Sequence, residues 1–153
     1  MKIFIGADHR GYKLKNKAAA FLRKEKYDVV DLGACTEETP CDYPELSYKV
    51  GTAVAKHKDS RGILICMTGI GHSIAANKIK GVYAALCYNE PAAEFSRRHN
   101  NANVLVLGAK FVPAKNFSRI IHKWLMTPFE GGRHLRRVKQ IKAIEGKFGR
   151  TQK

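Results

Sequence analysis

The chain has 153 residues, 44% of them hydrophobic, a length and composition that suit one domain with an ordinary core. Its apolar runs are far shorter than the roughly 20 residues of a transmembrane helix, and its N-terminus lacks a signal-peptide pattern, which argues against a membrane protein and favours the cytosol. With 28 Lys and Arg against 13 Asp and Glu, the net charge of +15 attracts anionic partners, but no aromatic platform or recognition motif accompanies it, so nucleic acid is only an alternative ligand.

Short β-branched runs alternate with longer amphipathic stretches along the whole chain, the pattern of βαβ units. Strands are predicted at residues 2–6, 28–32, 62–66, 82–86 and 103–107. Helices are predicted at residues 12–23, 44–55, 71–78, 90–100, 113–125 and 132–145. Right-handed crossovers then put helices on both faces of a five-stranded parallel sheet, a three-layer α/β/α sandwich of Rossmann or flavodoxin type with an extra C-terminal helix. We expect one domain over residues 1–146 and a frayed tail over 147–153.

The third predicted strand ends in Cys66, and the glycine-bearing loop that follows leads directly into a helix. Such a loop presents backbone N–H groups and the positive end of the helix dipole, so it can hold a phosphate or an oxyanion. The same field lowers the pKa of a thiol at its mouth, which makes Cys66 a candidate base. The alternative is that Cys66 is a small core residue and that Gly69 and Gly71 only permit a turn. Ile74 stands where a dinucleotide-binding fingerprint needs its third glycine, and no Walker loop is present.

Further polar side chains lie near the ends of other predicted elements. Asp8 and His9 follow the first strand directly, on the same edge of the sheet as Cys66. They are either an acid–base pair or a helix N-cap with a solvent-facing histidine. His99 and Asn100 end the fourth helix, where His99 is either an imidazolium stabilised by the helix dipole or a catalytic histidine, and its position alone does not decide between them.

Arg133, His134 and Arg137 begin the last predicted helix, and the two arginines share a face. Two guanidinium groups on one face form a fork for phosphate. Cations at a helix start are unfavourable unless an anion binds there, which favours phosphate binding over a solvated face. No pair of histidines has a spacing such as His-x3-His, and the four cysteines form no CxxC pair, so neither a metal site nor a disulfide framework is predicted.

Six motifs, taken together and in order, resemble a known family over about residues 1 to 146. They are Gly6-Ala7-Asp8-His9-x-Gly11, Asp42-Tyr43-Pro44, Gly62-Ile63-Leu64-Ile65-Cys66-x-Thr68-Gly69-Ile70-Gly71-x-Ser73-Ile74-Ala75-Ala76-Asn77-Lys78, Ser96-Arg97-x-His99-Asn100, Asn103-Val104-Leu105 and Glu130-Gly131-Gly132-Arg133-His134-x-x-Arg137. The chain resembles ribose-5-phosphate isomerase type B, within the family that also holds galactose-6-phosphate and allose-6-phosphate isomerases.

The resemblance implies an activity and the residues that carry it. The reaction is the interconversion of ribose 5-phosphate and ribulose 5-phosphate through a cis-enediolate, without a cofactor, and Cys66 is the base that moves the proton between C1 and C2. Thr68 assists at the sugar oxygens, and His99 with Asp8 opens the furanose ring. The enediolate charge is held by the loop amides, at Gly69, Ile70, Gly71 and Ser73. Phosphate is bound by His9, Arg133, His134 and Arg137, and the sugar hydroxyls are contacted by Asn100 and Tyr43.

The resemblance also implies a homodimer, possibly paired into a tetramer, in which two chains share each active site and a lone monomer is nearly inactive. Two positions depart from the family pattern. Met67 stands where glycine is usual, and His72 stands where an aliphatic residue is usual. The Met67 side chain touches the pocket and can alter the preferred substrate length, so a six-carbon sugar phosphate stays an alternative. Retention of Cys66 favours a five-carbon substrate.

Overall fold

The computed structural model describes residues 1–33, 36 and 38–148, and within them five strands alternate with helices. The strands are β1 Lys2–Ala7, β2 Asp28–Asp31, β3 Arg61–Cys66, β4 Ala84–Leu86 and β5 Val104–Gly108. The helices are α1 Tyr12–Lys24, α2 Tyr43–Lys56, α3 Ile70–Ala76, α4 Glu90–Asn100, α5 Phe117–Met126 and α6 Gly132–Phe148. Each strand and helix predicted from the sequence is present, and the differences lie at their ends.

Local hydrogen bonds explain two of these differences. The strand predicted from residue 82 begins only at Ala84, because the N–H of Val82 closes a turn on the carbonyl of Ile79 (3.0 Å). The helix predicted from residue 113 begins at Phe117, because residues 113–116 form a turn in which the N–H of Asn116 donates to the carbonyl of Pro113 (2.8 Å). At the other end, α6 includes residues 147 and 148 of the predicted tail, and residues 149–153 of that tail lie outside the described residues.

All five strands are parallel, in the order β2-β1-β3-β5-β4. The predicted fold class is therefore confirmed. The order exchanges the last two strands of the flavodoxin order 2-1-3-4-5. The chain moves from β1 to β2 in one direction and then crosses back to β3, so the strand order reverses between β1 and β3. A ligand crevice is expected outside the carboxyl ends of these two strands.

The sheet separates two apolar cores, and alternate residues of one strand enter each. Ile63 and Ile65 of β3 pack with residues of α1, α4 and α5, including the fully buried Trp124. Leu64 between them packs with Val50 and other residues of α2. Because both faces are covered, β3 is apolar from residue 62 to residue 66, after Arg61 at its start, rather than alternating with polar residues. Among the described residues, no helix has both the length and the apolar character that crossing a bilayer requires.

Candidate active site

The loop after β3 surrounds the Cys66 thiol with backbone N–H groups. The N–H of Gly69 donates to Sγ of Cys66 at 3.0 Å. The N–H groups of Thr68 and His72 also face the sulfur. Gly69 makes this possible because its φ of +85° lies in the left-handed region that favours glycine, so the chain can turn back over the end of its own strand.

The environment of Cys66 raises the pKa of its thiol. The residue is 5% exposed, and this burial is the main cause. The N–H groups of Gly69, Thr68 and His72 act in the opposite direction, while the charge of Asp8 adds to the increase. The predicted effect of the loop amides is present, but loss of hydration and a neighbouring carboxylate outweigh it, so the pKa of the Cys66 thiol is raised in the single chain rather than lowered.

Asp8 lies beside Cys66, where β1 and β3 diverge. Its N–H donates to the carbonyl of Ile65 at 3.2 Å, and its Oδ1 accepts the N–H of Gly11 at 2.9 Å. The carboxylate thus stabilises the turn into α1, although the N-cap residue of that helix is Gly11 itself. Asp8 is buried and its charge acts on Cys66. The alternative that Asp8 is the N-cap of α1 is therefore wrong, and its acid–base role stays a prediction.

His9 lies at the rim of the same edge. Its Nδ1 accepts the N–H of Cys41 at 3.4 Å, which links the end of β1 to the segment before α2. A cavity of about 350 Å³ opens beside Cys41, between the end of β2 and the start of α2, with Asp42 and Leu46 among its lining residues. This volume falls in the range of small-molecule sites.

The first residue of α2, Tyr43, packs against the loop and helix that follow Cys66. The ring of Tyr43 lies against Gly71 so closely that a Cβ at position 71 would stand 2.6 Å from it and would displace the ring. Tyr43 meets the ring of His72 edge-on, with 5.8 Å between centroids. His72 is fully buried and its Nδ1 lies 2.7 Å from Oγ of Ser47, a residue that the sequence motifs did not single out. Ser47 could have been noticed because it follows Tyr43 by one helical turn on the buried side of α2.

Three more predicted residues belong to this edge of the sheet. Oγ1 of Thr68 accepts the N–H of Ile70 at 3.3 Å. The N–H of Ser73 donates to the carbonyl of Gly69 at 3.0 Å, which makes it part of the first turn of α3. Met67 is 43% exposed, so its side chain projects at the mouth of the site.

The other predicted residues form a second cluster, built where α6 meets the end of α4. The rings of His99 and His134 stack with 4.1 Å between centroids and 4° between planes. The N–H of Glu130 donates to the carbonyl of Arg98 at 3.0 Å, and Nη2 of Arg98 donates to the Glu130 carboxylate at 2.9 Å. These bonds fasten the start of α6 to α4.

Arg133 and Arg137 complete this second cluster around His134. Nε of Arg133 lies 3.4 Å from Nε2 of His134. Burial, then the charge of His99, and then those of the two arginines lower the pKa of His134. The cluster therefore concentrates positive charge, as a phosphate site requires. Asn100, at the end of α4, is exposed beside it.

The two clusters lie at opposite ends of the sheet. At the carboxyl end, the N–H of Ala109, just after β5, donates to the carbonyl of Cys66. At the amino end, the N–H of Gly62 donates to the carbonyl of Asn103. Asn103 follows His99 by only four residues, so His99 lies near this amino end. The five residues of β5 separate these ends by roughly 16 Å at about 3.3 Å per residue. Within one chain the structure does not bring His99 to Asp8 or Cys66.

His99, Glu130 and His134 also form the one group of potential metal ligands found in the described part of the chain, with ligand atoms within 4.8 Å of one another. Their arrangement does not suit a cation. The lone pair of a ring nitrogen lies in the plane of its imidazole. Because the two rings are stacked and parallel, their lone pairs lie in parallel planes and do not converge on one ion. Arg98 holds the Glu130 carboxylate, and Arg133 adds a positive charge. The absence of a metal in the functional protein stays a prediction.

The fold and the Cys66 site together define the class: an α/β protein with a buried thiol among backbone N–H groups at the topological switch point of a parallel sheet. A family model described as Ribose/Galactose Isomerase matches residues 3–141. Ribose-5-phosphate isomerase B of Escherichia coli is 43% identical over 144 residues, which cover 94% of this chain and 96% of the relative. The chain belongs to the Ribose/Galactose Isomerase family, which confirms the resemblance found in its motifs.

Solved structures agree with this assignment. The ribose-5-phosphate isomerase B of Clostridium thermocellum superposes with a TM-score of 0.94 at 48% identity, covering 97% of this chain and 99% of the other. The enzyme of Mycoplasma genitalium, solved with bound ribulose 5-phosphate, gives a TM-score of 0.92 at 43% identity, covering 95% and 96%. The similarity extends over nearly the whole of each chain.

Proposed function

We propose that this protein interconverts ribose 5-phosphate and ribulose 5-phosphate, with Cys66 as the proton-transfer base. The observation that carries the proposal is the position of the thiol, at the carboxyl end of β3 among backbone N–H groups, in a chain of this family. The relative from Mycoplasma genitalium that binds ribulose 5-phosphate supports the choice of a five-carbon substrate.

In the proposed reaction, the Cys66 thiolate removes the proton from C2 of the open-chain aldose. The electron pair of the C–H bond forms the C1–C2 double bond, and the carbonyl oxygen at C1 becomes an enediolate oxygen. The loop amides between Gly69 and Ser73 stabilise this negative charge, with the N–H of Ser73 itself held by the Gly69 carbonyl, and Thr68 contacts the sugar oxygens. The proton then passes from Cys66 to C1, and the proton of the C2 hydroxyl moves to the oxygen at C1, so that a carbonyl forms at C2 and a hydroxyl at C1. Electrons are only redistributed within the sugar, so the proposed reaction needs no cofactor.

We propose further that each active site is shared by two copies of the chain. The Cys66 cluster of one copy would face the His99 cluster of the other, since one chain keeps these clusters at opposite ends of its sheet. His99 would protonate the ring oxygen and open the furanose, and Arg133 and Arg137 would hold the phosphate. The cations of the second copy would also lower the pKa of Cys66, which burial raises in the single chain.

Substitution of Cys66 tests the assignment of the base. We expect Cys66→Ala to lower kcat by about 10²- to 10⁴-fold, the range for a general base, while the fold and sugar-phosphate binding persist. Cys87→Ala is the matched control, because Cys87 is a buried free cysteine in the core rather than in the loop. If Cys66→Ala retains turnover, the role of Cys66 is refuted.

Mixing two inactive variants tests the shared site. Cys66→Ala and His99→Asn are each expected to be inactive alone. Heterodimers formed after mixed refolding hold one site with both native residues, so activity should return to about a quarter of the wild-type value. A site confined to one chain would give no recovery. Light scattering on the same samples distinguishes dimers from paired dimers.

The second candidate is a six-carbon sugar phosphate, which the exposed Met67 side chain at the site mouth keeps open. Turnover of ribose 5-phosphate should be compared with that of allose 6-phosphate and galactose 6-phosphate. We expect ribose 5-phosphate to have the highest kcat/KM. We expect Met67→Gly to reduce the difference in kcat/KM between the five-carbon and six-carbon substrates, because loss of the side chain makes room for the longer sugar. A higher kcat/KM for a six-carbon substrate would reverse the assignment. A cytosolic location and the absence of nucleic-acid binding remain predictions.

A further inference from the structure

The proposed reaction makes no use of His72, although its imidazole lies directly beneath the Cys66 loop. His72 is the third residue of α3 and is fully buried. Its Nδ1 lies 2.7 Å from Oγ of Ser47, whereas its buried Nε2 makes no hydrogen bond of good geometry, although the backbone carbonyl of Ile65 acts on the ring. Burying an imidazole with one nitrogen unsatisfied costs free energy that an aliphatic side chain would not cost. A compensating role is therefore expected for the nitrogen that is bonded.

The bonded nitrogen connects α3 to the first turn of α2. The hydroxyl of Ser47 donates to the carbonyl of Tyr43 at 3.0 Å. Because a hydroxyl has a single proton, its oxygen is then left to accept a proton from Nδ1 of His72. Two consecutive hydrogen bonds therefore link His72 through Ser47 to the backbone of Tyr43. Ser47 is itself fully buried. The contact between Ser47 and His72 is therefore shielded from water, and the bond to the Tyr43 carbonyl is partly shielded.

The same imidazole also holds the Tyr43 ring. The two rings meet edge-on at 74°, and Gly71 also lies against the tyrosine ring. Tyr43 is thus restrained at its backbone through Ser47 and at its ring by residues 71 and 72 of the loop. It remains 40% exposed, so the restrained ring still borders the mouth of the Cys66 site.

We infer that His72 is a positioning residue for substrate binding: through Ser47 and the Tyr43 ring it holds the phenol at the mouth of the Cys66 site. The inference rests on the proposed function, since the sugar phosphate is the ligand that the phenol would contact. His72 itself does not touch the substrate. Its loss should weaken ground-state binding more than it slows proton transfer, because the amides around Cys66 come from the backbone.

Three substitutions at position 72 separate the role of each nitrogen. His72→Asn keeps a donor near the place of Nδ1, His72→Gln moves the polar group to the place of Nε2, and His72→Leu removes both. Steady-state kinetics with ribose 5-phosphate should show KM raised about 10-fold in the Leu and Gln variants, with kcat within about threefold of wild type. His72→Asn should restore KM to within about twofold. His122→Leu, an exposed histidine on α5, is the control and should leave both parameters unchanged.

Ser47→Ala provides an independent approach to the same link. It should raise KM like His72→Leu, and the double variant should be no worse than either single one, since both remove one connection. Urea unfolding of each variant identifies any that fails to fold. If His72→Leu does so, the KM values of Ser47→Ala and His72→Asn decide the matter.

The inference is overturned if folded His72→Leu keeps the wild-type KM, if kcat falls while KM does not change, or if the Asn variant is as impaired as the Leu variant. Should His72→Leu not fold, a wild-type KM in Ser47→Ala or a raised KM in His72→Asn overturns it. Failure of the proposed function gives a different result. In that case the wild-type protein itself does not turn over ribose 5-phosphate, whereas wild-type turnover with an unaffected Leu variant refutes the positioning role alone.

Discussion

Acid should destabilise this protein through one buried histidine. Burial lowers the pKa of His72 to about 4 from the usual histidine value of 6.5. Between these values the unfolded chain takes up a proton that the folded chain does not, so the free energy of unfolding falls as the pH falls. Above pH 6.5 the imidazole is neutral in both states and there is no loss. By pH 4 the loss approaches its limit.

The size of the effect follows from the difference between the two pKa values. A difference of 2.5 pH units corresponds to about 3 kcal/mol at the acid limit, at 1.36 kcal/mol per unit. At pH 5 the loss is about 2 kcal/mol, because the unfolded imidazole is then almost fully protonated and the folded one is not. For a protein of ordinary stability this is a large fraction of the total.

Urea unfolding of wild-type protein and of His72→Leu at pH 7.5, 6 and 5 measures the effect. The leucine variant lacks the titrating group but keeps every other carboxylate and histidine, so the difference in unfolding free energy between the two proteins isolates His72. We expect this difference to shift by about 2 kcal/mol in favour of the variant between pH 7.5 and pH 5. His122→Leu is the control. If the difference in unfolding free energy between wild type and His72→Leu is the same at all three pH values, His72 is not a neutral buried imidazole.

Three further results are expected. Gly71→Ala should lower the free energy of unfolding by about 1–3 kcal/mol and raise KM, measured by urea unfolding and kinetics, because its Cβ would overlap the ring that lies on it. Burial raises the pKa of Cys87 to about 11, whereas Cys41 is half-exposed. Mass spectrometry after an iodoacetamide pulse at pH 7.5 should therefore find Cys41 labelled long before Cys87, and the reverse order of labelling would contradict this. Ile63→Ala, in the fully buried centre of β3, should cost about 2–5 kcal/mol in urea unfolding, while Ile74→Ala, at 60% exposure, should cost far less.

The raised pKa of Cys66 and the separation of the two clusters have a common consequence. A thiol that is protonated at neutral pH is a poor base, and the cations that could correct this lie at the far end of the same chain. Association of two copies would supply them. The pH dependence of Cys66 alkylation should therefore shift to lower pH on association, and no shift between dilute and concentrated protein would argue against activation by a second copy.

Much of the fold was predictable because it depends on short-range patterns. The uninterrupted apolar run of residues 62–66 predicts a strand covered on both faces, and β3 has this environment. The start of β4 was not predictable, because Val82 reads as part of a strand while its N–H closes a turn with Ile79. Hydrophobic periodicity also does not specify the order of the strands within the sheet. Only the tertiary structure showed that β5 lies between β3 and β4.

The sequence alone determined the identity of the chemical groups and the family. Cys66, the glycines after it and the arginines of α6 are recognisable as motifs, because each depends on neighbours within a few residues. Tertiary structure decided what these groups meet. It placed Asp8 beside Cys66 and His99 at the other end of the sheet, since a helix between two parallel strands returns the chain to the amino end. It also buried His72 against Ser47. Burial and contact are properties of the packed chain, and they set the pKa values that no local motif contains.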